Sequence, residues 1–356
     1  MAKVLVGMSG GVDSSVTALL LKQQGYDVIG VTLNVWEREN PIVSEKACCA
    51  LDAVNDARAV CTKLGIDYYV LNFRDIFKEK VIDYFAKEYM SGRTPNPCNA
   101  CNRYVKFEAL LQRAVNVLEC DYIATGHYAK VDCNPETGRY FLRKSIADKK
   151  DQTYALYNLT QEQLKRTLMP LGDYHKEEVR KIAEENELVN AKRRDSQEIC
   201  FVEDNDYIRF IKEKYHYTPK KGNFVDVNGT VLGEHQGIIH YTIGQRKGLG
   251  IAFQKHMYVL RIDAEKNEVV LGEEEKLFSD TLVCDDVNLM TMETLENPIY
   301  ATVKIRYSAT AEPATLIPLK DGKIKVVFNE PQRAITPGQA AVFYDNDIVI
   351  GGGTIL

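Results

Sequence analysis

Three groups of residues in this chain have types and spacings that could do chemistry. The first is "GMSGGVDSS", Gly7 to Ser15. Gly10 and Gly11 let a backbone approach an anion closely. Amides at a helix N-terminus point at such an anion, and the helix dipole favours it. The hydroxyls of Ser9, Ser14 and Ser15 add donors, and the Asp13 carboxylate suits Mg2+ bridging phosphates. The stretch lacks the Gly-Lys-Ser/Thr ending of a Walker A loop and the Gly-x-Gly-x-x-Gly of a dinucleotide site. Gly7, Met8, Ser9, Gly10, Gly11, Val12, Asp13 and Ser14 are therefore candidate nucleotide contacts of a different kind.

The second group is "TPNPCNACNRYVKF", Thr94 to Phe107, with Cys98 and Cys101 in a Cys-x-x-Cys pair. Such a pair fits half a zinc site, a redox couple, part of an iron–sulfur site, or a nucleophile with a helper. Cys101 is expected at the mouth of a helix starting near Arg103, where the dipole lowers a thiol's pKa. The third group is "RRDSQEICF", where Arg193 and Arg194 precede Cys200 and favour its thiolate. Cys61, Cys120, Cys133 and Cys284 read as small buried hydrophobes, and Cys48–Cys49 as half-buried helix.

The elements that must position these groups alternate in the N-terminal part. "KVLVGM" reads as a buried strand, Asp13–Gln24 as a helix stopped by Gly25, and "DVIGVTLNV" as a second strand. A helix over Glu45–Leu64, the strand "YYVLNF", a helix over Ile76–Tyr89, a helix over Arg103–Leu118 and "DYIATGHYA" continue the pattern. This alternation predicts a doubly wound parallel sheet with helices on both faces. "NPETG" reads as a hairpin turn and Lys176–Glu187 as a helix. After about Lys214, glycine-marked short strands predict small β domains ending in a barrel. The boundaries expected are 1–213 for the nucleotide-binding catalytic domain, 214–280 for a small central β-rich domain and 281–356 for the C-terminal β-barrel.

Composition sets the class. Of 356 residues, 45% are hydrophobic and 27% charged, ordinary for a globular protein with a sizeable core. No apolar run approaches the ~20 residues of a membrane span. The N-terminus does not read as a signal peptide, which predicts a cytoplasmic, reducing setting in which nine cysteines are thiols, ligands or catalysts. The net charge of −5 argues mildly against a nucleic-acid partner. Arg139–Asp151, with five basic and two acidic residues, is the stretch a phosphate backbone would favour.

"SGGVDS" resembles the pyrophosphate loop of the ATP pyrophosphatases, which split ATP into AMP and pyrophosphate to adenylate a carbonyl oxygen. Taken with "TPNPCNACNRYVKF", "ATGHYA", "KDQTYAL", "RRDSQEICF" and "HYTIGQRKGLGI", the chain resembles the tRNA-specific 2-thiouridylases along nearly its whole length. The resemblance implies an adenine nucleotide alpha hydrolase-like first domain. It also implies ATP and Mg2+, a tRNA with a modifiable wobble uridine, and a protein that donates persulfide sulfur. It makes Cys101 the nucleophile and Cys200 the persulfide carrier, the two joining in a disulfide when turnover completes. It also implies nucleotide contacts from Leu33 and Gly126, contacts to the target base from Asn96, Pro97 and Cys98, and tRNA contacts from Lys150, Asp151, Gln152, Arg306 and Tyr307. His127 reads either as a phosphate contact or as a structural histidine. The loop Arg93–Cys101 and the "DSQEICF" segment, Asp195 to Phe201, are expected to order only on tRNA. Many family members carry Asp where Cys98 stands, so a 4Fe–4S cluster on Cys98, Cys101 and Cys200 is a rival mechanism. A ligase of the same loop type acting on a small molecule is a rival function.

Overall fold

A computed structural model describes residues 1–36, 51–193, 199–251 and 255–356. The expected sheet is present. β1 (Lys3–Gly7), β2 (Asp27–Asn34), β3 (Asp67–Asn72) and β4 (Tyr122–Ala124) pair in parallel. A short later strand joins β4 in parallel at its outer edge. β1 is central, with β2 and β4 beside it in the register Gly7↔Val31 and Val6↔Ala124.

The period-two alternation of β1 divides the core. Val4 and Val6 face one cluster with the helices Val12–Gln23, Leu51–Leu64 and Lys176–Glu185. Leu5 faces the other, with Phe77, Val81, Phe85, Leu110 and Leu111. Helices therefore cover both sheet faces, as a parallel sheet requires.

β5 (Ala129–Cys133) and β6 (Tyr140–Lys144) form the hairpin read from "NPETG". β7 (Thr167–Leu168) is the outer strand that completes the parallel sheet. β8 (Gly222–Val225), β9 (Val231–His235), β10 (Tyr258–Asp263) and β11 (Glu268–Gly272) make a four-stranded sheet. β12 (Phe278–Leu289), β13 (Ile299–Lys304), β14 (Glu312–Pro318), β15 (Ile324–Arg333), β16 (Ala340–Asp345) and β17 (Ile348–Ile355) follow in the order β12-β15-β14-β13-β16-β17. The β12–β17 pairing closes these six strands into a barrel.

β6 pairs with β17, so the hairpin of the first domain extends the barrel wall. The core is continuous across this junction. Fully buried Tyr154 and Tyr344 belong to the cluster that also holds Phe77 and Phe85. Each such burial is worth about 1.5–3 kcal/mol, so separating the two domains would be costly.

Two expectations need correction. The helix read from Arg103 starts earlier: Pro97–Ala100 is its first turn, Cys101–Ala109 continues in wide π-type turns, and Leu110–Leu118 is α-helical. The reason is local, since Asn96 caps the end and Pro97 takes the first helical position. Cys133 is exposed on its hairpin, whereas Cys61, Cys120 and Cys284 are buried as expected. Cys48–Cys49, the first part of the Glu45–Leu64 helix, and Arg194 lie outside the described residues.

Candidate functional site

The phosphate loop leaves the carboxyl end of β1. Gly10 adopts φ +74°, and a Cβ there would run into the Ala53 backbone, so both conformation and space demand glycine. Gly11 caps the helix Val12–Gln23 without a side-chain hydrogen bond, leaving first-turn amides available to an anion. Side chains hold the loop from within. The Ser9 amide donates to Ser14 Oγ at 3.1 Å, and Ser14 Oγ donates to the Gly11 carbonyl at 3.1 Å.

Residues distant in sequence hold it from outside. Asn190 Nδ2 donates to the Gly10 carbonyl and to Ser15 Oγ, both at 2.8 Å. Thr32 Oγ1 donates to the Met8 carbonyl at 2.7 Å. Leu33 lies two residues beyond the partner of Gly7 on β2, and Gly126 follows β4. Loop, Leu33 and Gly126 thus meet at the carboxyl edge of the sheet, where open α/β sheets bind ligands. Gly126 has a steric reason of its own: a Cβ there would lie 2.8 Å from Asp13 C and Ser14 N.

Asp13 is more occupied than the sequence implied. Lys176 Nζ donates to both of its carboxylate oxygens at 2.8 Å, and the Tyr128 hydroxyl donates to Oδ1 at 2.8 Å. A Mg2+ ion at Asp13 would have to displace the ammonium, so this carboxylate does not fit the metal as it stands. Lys176, Tyr128 and Asn190 were missed by sequence reasoning. Lys176 opens an ordinary helix pattern, and no local motif marks it.

The second cluster surrounds the Cys-x-x-Cys helix. Asn96 Oδ1 accepts from the Cys98 amide at 3.0 Å. Cys98 lies in the first helical turn and is exposed, while Cys101 is half-buried against the core. The dipole argument made for Cys101 therefore applies to Cys98, because that field fades beyond the first turn. The preceding loop is already tied to the barrel. The Thr94 amide donates to the Pro337 carbonyl at 2.9 Å, Gln339 Nε2 donates to the Thr94 carbonyl at 2.7 Å, and Arg93 donates to the Ile355 carbonyl at 3.1 Å.

Cys200 is exposed, but its neighbours are rooted in the same apolar cluster that Cys101 packs on. Phe201 meets Phe77 and Phe85 edge-on, with ring centroids 5.8 and 5.3 Å apart. Residues 195–198, just before it, lie outside the described residues. Among the described residues no group of three or more His, Cys, Asp or Glu side chains is gathered as metal ligands. Cys98, Cys101 and Cys200 therefore do not fit a cluster in this arrangement.

Of the predicted tRNA residues, Tyr307 lies near Asp151, Lys150 and Cys98. Tyr307 OH donates to the Asp151 carbonyl at 3.4 Å, and burial, then nearby Asp151 and Cys98, holds its phenol above the ordinary value. Tyr307 is nonetheless 47% exposed. Asp151 and Gln152 are also held by internal hydrogen bonds. Asp151 accepts from the Ser145 amide at 3.1 Å and from Thr153 Oγ1 at 2.6 Å; burial raises its pKa against those bonds. Gln152 Oε1 accepts from the Tyr128 amide at 2.9 Å. The cations set near Tyr307 are Lys150 and Lys304, whose ammonium lies 5.5 Å from the Tyr307 ring centre. Arg306 is half-buried and donates to the Arg333 carbonyl. His127 bonds Thr125 Oγ1 at 2.7 Å, and burial, aided by Lys106, holds its imidazole well below the ordinary value. The Thr125 bond gives it a structural role. A cavity of about 310 Å³ is lined by Asn96, Asn99 and Arg103 of the Cys-x-x-Cys segment and by barrel residues Asp286 and Ala340.

Three family models match the chain in order. Residues 2–204 match the tRNA methyl transferase HUP domain, 209–273 its PRC-barrel domain, and 279–355 the aminomethyltransferase beta-barrel domain. The chain is 57% identical over 353 residues to the tRNA-specific 2-thiouridylase of Clostridioides difficile (strain 630), covering 99% of this chain and 98% of that one. It is 58% identical over 356 residues to that of Acetivibrio thermocellus, covering 99% of each.

Proposed function

The chain belongs to the tRNA-specific 2-thiouridylase family, and on that premise we propose how its own residues share the reaction. It is an ATP-using tRNA sulfurtransferase that forms 2-thiouridine. The family model's description speaks of methyl transfer, but the full-length relatives are thiouridylases and a pyrophosphate loop serves their chemistry. The uridine acted on is the wobble base, and the setting is the cytoplasm, where tRNA and ATP are at hand. No helix among the described residues is long and apolar enough to cross a membrane.

Replacing a carbonyl oxygen by sulfur needs a leaving group made from that oxygen and a sulfur nucleophile. The uridine O2 attacks the α-phosphorus of ATP; the Pα–O bond to the β-phosphate breaks and pyrophosphate leaves. The first-turn amides after Gly11 and the Ser9 and Ser14 hydroxyls hold the phosphates. Leu33 and Gly126 border the nucleotide. Mg2+, which eases departure of pyrophosphate, would be held by the phosphates themselves, and no step here runs through it.

The terminal sulfur of a Cys200 persulfide then attacks C2, and AMP leaves with the former O2. The Cys101 thiolate attacks Cys200 Sγ, and the S–S pair of electrons stays on the sulfur now bound to C2. The products are 2-thiouridine and a Cys101–Cys200 disulfide, which a dithiol reductant resets before a donor protein recharges Cys200. Asn96, Pro97 and Cys98 flank the flipped base, while Lys150, Arg306 and Tyr307 meet the tRNA. Asp151 and Gln152 support that rim through the bonds described above.

One observation carries this reading. The Gly7–Ser14 loop, with its uncapped helix N-terminus, stands at the carboxyl edge of a parallel sheet in a chain that also holds the Cys98–Cys101 helix against the barrel. The test is mass spectrometry of tRNA nucleosides from cells lacking the protein. Loss of 2-thiouridine derivatives is expected; intact levels would refute the reading.

A further inference from the structure

The phosphate loop presents a problem that its own residues do not solve. Gly7–Ser15 contains no Lys or Arg, and it carries an acid, Asp13. Its ligand is a polyanion, and departure of pyrophosphate adds negative charge to the leaving group. Backbone amides and hydroxyls stabilise that charge, but a cation in a water-poor site does so far more strongly.

Lys176 supplies that cation from another element. It is the first residue of the helix Lys176–Glu185, whose N-terminal end packs beside the helix Val12–Gln23. Its side chain is only 9% exposed, which is rare for lysine and tolerable here because Asp13 pairs with it. Both Asp13 oxygens accept from Nζ at 2.8 Å, and Tyr128 fixes the same carboxylate through Oδ1. The ammonium also lies 5.9 Å from the Tyr128 ring centre. Asp13 is in the first turn of the helix whose amides face the phosphates. The same residue lies against the side that Gly126 leaves open, where a Cβ would come within 3.0 Å of Asp13 Cβ. A desolvated, pre-positioned ammonium therefore stands at the edge of the anion site.

We propose that Lys176 is the phosphate-facing cation of the adenylation step, aimed by Asp13 and Tyr128 at the pyrophosphate that leaves when uridine O2 bonds to the α-phosphorus. The contact is to the β-phosphate side of the bond that breaks. It rests on the thiolation reading for the acceptor, but its signature lies in nucleotide binding and can be read separately. Asp13 in this account is a positioning residue rather than a metal ligand.

The experiment compares the whole protein with Lys176→Met, Lys176→Arg and the double variant Asp13→Asn/Lys176→Met. Calorimetric binding of inorganic pyrophosphate and of AMP is measured separately, followed by tRNA-dependent AMP formation from ATP. Lys176→Met is expected to weaken pyrophosphate binding by about 10- to 100-fold, the worth of a charge-assisted hydrogen bond, and to leave AMP binding unchanged. AMP formation should fall about 10²- to 10³-fold, with Lys176→Arg recovering part of it. The double variant removes both charges, so it keeps the fold even if Lys176→Met alone does not, and it should still bind pyrophosphate weakly. Equal weakening of AMP and pyrophosphate would overturn the proposal, as would a double variant with wild-type pyrophosphate affinity, since Lys176 would then only neutralise Asp13. Wild-type protein that binds pyrophosphate but makes no AMP with tRNA would overturn the thiolation reading instead, leaving the phosphate contact supported.

Discussion

Gly126→Ala tests the geometry of the nucleotide site with a single methyl group. The backbone at Gly126 is not in the left-handed region, so alanine meets no conformational barrier there. Restricting the unfolded chain would by itself stabilise the protein by about 0.4–1 kcal/mol. The steric term opposes this. The new Cβ would lie 2.8 Å from Asp13 C and from Ser14 N, and 3.0 Å from Asp13 Cβ. Those atoms are backbone in the first turn of a packed helix, not the end of a flexible side chain, so they must shift. Overpacking of this kind costs about 1–3 kcal/mol. The net effect on folding is then small, near zero to about 2.5 kcal/mol. The displaced atoms are those that present amides to the phosphates, so the effect on ATP should exceed it. We expect ATP affinity to fall at least about tenfold, equivalent to ~1.4 kcal/mol, with tRNA affinity unchanged. Isothermal calorimetry with ATP, and filter binding with tRNA, give both numbers. ATP affinity within twofold of wild type would refute the placement of Gly126 beside the nucleotide.

Other perturbations separate the parts of the account. Cys101→Ser and Cys200→Ser should each abolish 2-thiouridine formation while tRNA-dependent AMP release from ATP continues; a variant that still thiolates would indicate another sulfur route. Asn190→Ala removes the two bonds that hold Gly10 and Ser15, a loss of about 1–3 kcal/mol that should appear as a raised KM for ATP with unchanged tRNA binding. Arg103→Ala breaks the ion pair with half-exposed Asp286 between the first domain and the barrel, and chemical denaturation should show a change under about 1 kcal/mol. His127 has a folded pKa held far below 6.5, so below about pH 6.5 the unfolded chain takes up a proton that the folded chain refuses. Stability should therefore fall as pH drops through that region, by up to about 1.4 kcal/mol per pH unit from this group, and His127→Gln should flatten that limb.

The sequence was most legible where local chemistry and local geometry coincide. Gly10 announces itself because only glycine takes a positive φ there with a backbone in contact, and the period-two pattern of β1 tells which side chains face which helices. The barrel showed itself through short glycine-bounded strands. What stayed hidden depends on contacts across long separations. Nothing near Lys176 in the chain reveals that it pairs with Asp13, 163 residues away, and nothing near Asn190 reveals that it holds Gly10. Likewise, nothing local shows that Asp151 and Gln152, which the resemblance makes tRNA contacts, are also fixed by hydrogen bonds to Ser145, Thr153 and Tyr128. The helix start was misread because charge and apolar spacing begin at Arg103, whereas the Asn96 cap and Pro97 set the true first turn.

The most direct test follows the oxygen. A tRNA whose target uridine carries oxygen-18 at position 2 is incubated with the protein, ATP and a persulfide donor, and the AMP formed is weighed. Labelled AMP, one heavy oxygen for each 2-thiouridine made, is the predicted result. Unlabelled AMP alongside full thiolation would contradict the claim that this oxygen is adenylated before sulfur replaces it.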